Sequence, residues 1–365
     1  MAKLATTYDP SVNPLGANAE GIAPRGTAES VHDLAHPNPD PHAGAVPIDD
    51  SDGWAFATRT FGWSMVWLLL AYMVSTILTL TFGWPGPGFD GTQGVIQLAL
   101  YVGAVVLSLA LAQRERRHSL RRDAATIHRF NTYLVRGCFF AVLFVGLGDM
   151  AISFLRVEGF LEGIAGSALT SDLGRSAFRG PYVHVPLVVL GFLVAAFART
   201  LGFHWLALLI VVAELAIVIT RFVFSYEQAF MGDLVRFWYA ALFLFASAYT
   251  LIEEGHVRVD ILYAGMSDRK KGTVNAVGTI LLGITLCWTI IVIGFNGPSA
   301  IIYGLISRFE ISQSGFGLYV KYMMAAFLAV FAVTMLFQFV AYLFDAVADR
   351  RGRPGSRIAA AAPAH

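Results

Sequence analysis

Runs of apolar residues, separated by short polar stretches, recur eight times along this chain. A hydrocarbon core of about 30 Å takes about 20 helical residues to cross. The segments of that order are Phe61 to Phe82, Gly94 to Ala112, Phe130 to Leu155, Val183 to Ala198, Trp205 to Phe224, Leu234 to Ile252, Val274 to Phe295 and Leu318 to Phe344. The pattern predicts an all-α, polytopic helical membrane protein with about eight transmembrane helices. The fourth segment is short, and only Arg199-Thr200-Leu201-Gly202-Phe203-His204 divides it from the fifth. A tight helical hairpin is the expectation there, with one long kinked or re-entrant helix as the alternative. Residues 1–53 are rich in Pro, Ala, Gly and Asp and hold no apolar run of signal-peptide length, so a disordered tail is expected. Residues 350–365, basic and Ala-rich, are expected to form a second tail.

Composition and charge sharpen this picture. Hydrophobic residues make up 56% and charged ones 14%, against about 25% charged in soluble domains, and the mean hydropathy is +0.61. A net charge of +1 excludes a polybasic nucleic-acid binder. With the N-terminus inside, 19 of the 26 Lys and Arg residues fall on the cytoplasmic side, as short cytoplasmic loops require. Both termini are therefore expected in the cytoplasm. The strongest contribution is Arg114-Glu115-Arg116-Arg117-His118-Ser119-Leu120-Arg121-Arg122, read as a topology anchor touching anionic membrane lipids. Cys138 and Cys287 lie inside predicted spans with no CxxC or His-rich neighbourhood, which suits buried, inert thiols. There is no G-x-x-x-x-G-K-[ST] and no H-E-x-x-H, so neither ATP hydrolysis nor zinc chemistry is expected, nor any cofactor in this chain.

The densest motif is Gly255-His256-Val257-Arg258-Val259-Asp260-Ile261-Leu262-Tyr263, which crowds charge where the sixth apolar run ends in Glu253-Glu254. Around it stand Arg221-Phe222-Val223-Phe224, then Gly232-Asp233 with Leu234 and Arg236, then Ser267, Arg269 and Gly278. Glu310-Ile311-Ser312 with Gly315 and Gly317, then Lys321 and Gln338, complete the series. In this order the motifs resemble the small membrane subunit of tripartite ATP-independent periplasmic (TRAP) transporters, closest to the mannitol or chloroaromatic branch. The resemblance covers about 140 residues and departs at two points: Phe222 replaces the usual Tyr, and Gly232-Asp233 replaces an acidic pair. It implies a four-helix domain over residues 204–349, preceded by an additional four-helix region over 54–203. It also implies a bacterial inner-membrane location, a separate large permease that carries the sodium sites, and a periplasmic solute-binding protein. On this resemblance Arg221, Asp233, Arg236, Glu254, His256, Arg258, Asp260, Tyr263, Glu310, Ser312 and Lys321 are candidate subunit-interface residues.

Physical chemistry adds several readings. Glu254 and Arg258, like His256 and Asp260, stand four apart. An exposed helical pair of this kind contributes only about 0.2 to 0.5 kcal/mol, so the choice lies between a contact with the large subunit and a solvated topology anchor. Asp149 and Glu214 fall within apolar spans, where ionisable groups mark a buried partner or an ion path. The ion-path reading gives a self-sufficient ion-coupled secondary transporter as one alternative function. A haem-bearing membrane anchor is another, but His184 and His204 lie at opposite ends of the expected hairpin. Thr279 with Gly283, and Gly272 with Ala276, are spaced for close helix approach. The stretch from Arg156 to Tyr182 reads as the longest outer loop, with Arg175 and Arg179 as docking charges or as part of a solvated connector.

Overall fold

The computed structural model describes residues 52–200, 202–226, 228–252, 263, 265–311 and 317–354, all within a compact unit of residues 44–365. Among them no strand occurs, and eight helices are long and apolar enough to cross a membrane. The spans are α1 (Gly53–Phe82), α2 (Gly91–Arg114), α3 (Leu120–Val157), α5 (Ser176–Phe197), α6 (Phe203–Val223), α7 (Ala229–Ile252), α8 (Asp268–Gly294) and α10 (Lys321–Arg350). Two short helices, α4 (Leu161–Leu173) and α9 (Tyr303–Ser307), lie between spans. The base of the bundle is the end where α1 starts and α10 finishes; the top is the opposite end. The tail of residues 1–51, most of the C-terminal tail, and Glu254, His256, Arg258, Asp260 and Ser312 lie outside the described residues.

One expectation is corrected here and one alternative is set aside. The stretch after Arg156 is largely helical rather than one outer loop: α4 fills much of it and α5 begins at Ser176, seven residues before the apolar run. A buried carboxylate, described below, draws Arg179 inward and extends the helix upward. Nor do the fourth and fifth segments form one broken helix, because α5 ends at Phe197 and α6 opens after Gly202, whose φ of +82° suits a residue without Cβ. The two helices diverge, α5 onto α3 and α6 onto α7.

Helices α3 and α10 form the centre. On α3 a face of small residues admits α5 closely, since a Cβ at Gly191 would lie 2.4 Å from the Ala141 backbone nitrogen and one at Gly137 2.4 Å from the Phe192 ring. On the other side, α8 meets α10 through Gly272, where a Cβ would stand 2.5 Å from the Arg350 nitrogen, and through Gly283 against the Phe339 ring. The spacing of Gly272 and Gly283 thus serves helix contact, as small residues do in membranes, where dispersion rather than water exclusion drives packing. Helices α1 and α7 complete the ring: Phe344 of α10 fills the space over Gly62, and Trp238 of α7 the space over Gly146 of α3. Helix α2 packs on α1, where Gln97 accepts a hydrogen bond from Ser75 and donates to the Pro85 carbonyl at 2.6 Å. Cys138 and Cys287 are buried free thiols in the core.

Candidate functional site

Eight residues below the upper end of α3, about 12 Å at 1.5 Å per residue, Asp149 is fully buried. Its Oδ1 accepts from Arg179 Nη1 at 2.7 Å and faces His184 Nε2 at 3.0 Å, while its Oδ2 accepts from the Tyr319 backbone N–H at 2.8 Å. Arg179 is also fully buried; its Nε donates to the Leu173 carbonyl at 2.6 Å, and its guanidinium lies 4.2 Å from the Tyr319 ring centroid. His184 Nδ1 meets the Tyr322 hydroxyl at 2.7 Å. Tyr319 in turn donates from its hydroxyl to the Gly174 carbonyl at 2.9 Å and accepts from Arg156 Nη1 at 2.6 Å. Three elements therefore meet on one carboxylate: α3, the start of α5, and the approach to α10. His184 sits in a π-helical turn, Gly180–His184, which contains Pro181 and precedes Pro186. Removing one member of such a buried pair strands the other, at about 3 to 5 kcal/mol.

The base carries matching clamps. Arg59 of α1, fully buried, donates from Nε to Asp123 of α3 at 2.6 Å and from Nη2 to the His118 carbonyl at 2.8 Å. Arg121 of α3 reaches Asp349 of α10 at 2.6 Å and Asp345 at 3.4 Å. Between the two ends, Asn131 Nδ2 donates to the Thr334 carbonyl of α10 at 2.9 Å. The first and last groups of four spans are thereby tied together by polar contacts near each end and at an intermediate level.

The motif residues do not converge on one place. Glu310 and Lys321 pair at 2.5 Å beside the top cluster, where the Tyr322 N–H also donates to the Glu310 carbonyl. Asp233 and Arg236 face each other at 3.6 Å at the start of α7, with Arg236 largely exposed, and Arg221 is exposed near the end of α6. At the base, the Tyr263 hydroxyl accepts from Asn275 Nδ2 at 2.8 Å, and its ring lies under Lys271. At the top, the Tyr226 hydroxyl donates to Glu158, and that carboxylate holds the phenol above its ordinary pKa. His204 is exposed at the start of α6, far from His184.

Of the two intramembrane carboxylates, only Asp149 is enclosed. Glu214 stands 11 residues into the 21-residue α6, near mid-depth, and is exposed. It has no hydrogen-bond partner among the described residues. Helix α6 is the most apolar span and the least buried in the bundle. The pairing of Arg175 and Arg179 as surface charges is corrected: Arg175 is exposed and bound to Asp172, whereas Arg179 belongs to the buried cluster. Sequence reasoning missed Arg59, Asp123, Tyr319 and Tyr322, took Arg179 for a surface charge, and placed His184 at a span end without its partners.

Among the described residues, each of these buried charges is met by a neighbouring helix. Comparison with known proteins adds the decisive observation. Residues 208–349 match the family model described as tripartite ATP-independent periplasmic transporters, DctQ component. No curated protein and no solved structure matches the chain. The DctQ-like stretch takes in α6 from Leu208 onward, α7, α8, α9 and nearly all of α10; it is less than half of the chain, and α1 to α5 precede it. The match supports a DctQ-like small membrane component of a TRAP transporter, which is a transporter part rather than an enzyme.

Proposed function

We propose that this chain is the small membrane subunit of a TRAP-type secondary transporter in a bacterial inner membrane, and that it serves as scaffold and does not itself carry solute. A separate large permease would move the solute, an organic acid or related compound delivered by a periplasmic binding protein, with sodium bound in the large subunit. The DctQ match over 208–349 carries this reading. The mannitol or chloroaromatic branch is part of the proposal and rests on the motif order around His256 to Tyr263.

The structure lends physical support to the scaffold role. Buried ion pairs tie α1 and α5 to α3, and α3 is in turn tied to α10 by Arg121 with Asp349 and to the approach to α10 by the Tyr319 N–H on Asp149. Such ties suit a body that stays still while a partner moves against it. The additional helices α1 to α5 enlarge that body in this reading. A self-sufficient transporter would use Asp149 or Glu214, yet Asp149 is held by three donor groups across a helix junction, which suits a fixed tie better than a site that loads and unloads an ion. Co-expression with a large permease and a solute receptor encoded beside this chain tests the proposal. The large permease is expected to co-purify with the tagged chain from membranes; a chain that purifies without any membrane partner would contradict it.

A further inference from the structure

The outward face of α6 has a spacing that its contacts inside this chain do not use. Leu208, Val211, Leu215, Val218 and Phe222 follow one another at alternating intervals of three and four, and their exposures are 52, 63, 56, 48 and 79%. That is the spacing of an a/d seam, on which another helix can pack; α2 exposes apolar residues at the same spacing, and what sets α6 apart is the carboxylate beside its seam. The inward contact is a different stripe, seven apart: Leu206 and Ala213, at 0 and 4% exposure, with Thr220 continuing it. In the same frame Glu214 and Arg221 occupy successive g positions, flanking the seam, while the e positions hold Val212 and Ile219. A carboxyl group at mid-depth on such a face is costly against lipid alone.

A symmetric pairing of α6 with the α6 of a second copy does not satisfy it. Copies inserted in one membrane share one orientation, so a symmetric α6 pair is parallel, and in a parallel pair a g residue faces an e residue of its partner. Glu214 would then meet Ile219, and its carboxyl would stay unpaired. A helix of a different protein can meet that need by bringing a hydrogen-bond donor to that depth.

We infer that α6 is the docking helix for a transmembrane helix of the separate large membrane subunit, which lays an apolar stripe along Leu208 to Phe222 and presents a basic or amide side chain to Glu214. This deepens the proposed function and rests on it. The test uses the full chain co-expressed with the large permease encoded beside it and held in lipid nanodiscs. Benzoylphenylalanine placed at Leu215 is expected to give an adduct with the large permease on irradiation, and at Val106 on the exposed face of α2 to give little or none. Glu214→Leu is expected to weaken association about three- to tenfold, and Glu214→Gln less, because one interhelical hydrogen bond in a membrane is of that order. The photoprobe at Leu215 leaves Glu214 in place, so it reads the interface even if the Glu214 variants misassemble. If the permease co-purifies but the adduct forms at Val106 alone, or at Leu215 with a second copy, or if Glu214→Leu binds like the native chain, the docking inference fails while the proposed function stands. If the native chain brings down no permease at all, both fail.

Discussion

At the scale of single residues, the account turns on where charge is allowed to be. Asp149 is held by donors from three elements, and its nearest partner, Arg179, is equally buried. Replacing Arg179 by Met is expected to remove about 3 to 5 kcal/mol of stability by leaving the carboxylate without its cation. Replacing the exposed Arg175 by Ala is expected to change it by less than about 0.5 kcal/mol. Thermal unfolding of purified protein in detergent reads the difference, and equal midpoints for the two variants would contradict the burial assigned here. Asp149 was legible in the sequence as a charge out of place, but Arg179 was not, because the Gly, Ser and Pro residues around it read as loop. A clue was present nonetheless. Asp149 lies eight residues from the top of α3 and His184 eight residues from the start of α5, so the two share a depth once the helix is known to begin at Ser176. Glu214 was visible for the same reason as Asp149, yet nothing in the sequence separates an enclosed carboxylate from an exposed one.

At the scale of helices, the centres of all eight spans were legible because a hydrocarbon core imposes its thickness on the apolar run. Their ends were not. Helix α3 starts ten residues before its apolar stretch and α10 finishes six residues after its own, since charged side chains such as Arg121 and Asp349 continue the helices beyond the apolar core and pair with each other there. Packing between helices was legible in part, through glycine spacing. Gly191→Ala is expected to cost about 1 to 3 kcal/mol, because the new methyl would meet the Ala141 backbone and neither helix can yield. Gly103→Ala on the open face of α2, where nothing lies within 4 Å of the added carbon, is expected to be neutral or slightly stabilising. Midpoints of unfolding compare the two, and a Gly191→Ala variant as stable as Gly103→Ala would remove the close α3–α5 contact from the account.

At the scale of the molecule, the distribution of Lys and Arg sets an expected orientation with the base of the bundle in the cytoplasm. Introduced cysteines near Arg117, Lys270 and Arg353 are expected to react only with reagents that reach the cytoplasm, and those near Gly88, Ser171 and Ser307 with impermeant reagents added outside intact cells. Outside labelling near Lys270 would invert the topology. How α1 to α5 sit against the DctQ-like stretch was not legible, because the ties that place them are pairs such as Arg121 with Asp349 and Asn131 with the Thr334 carbonyl. Such pairs join residues far apart in sequence, and no local pattern announces them. The central claim is that this chain supports transport without performing it. Solute uptake into proteoliposomes under an inward sodium gradient tests that most directly, with the chain alone and with the chain plus the large permease and solute receptor that the proposal calls for. The account predicts no sodium-dependent uptake by the chain alone and clear uptake by the three together; robust uptake by the chain alone would contradict it.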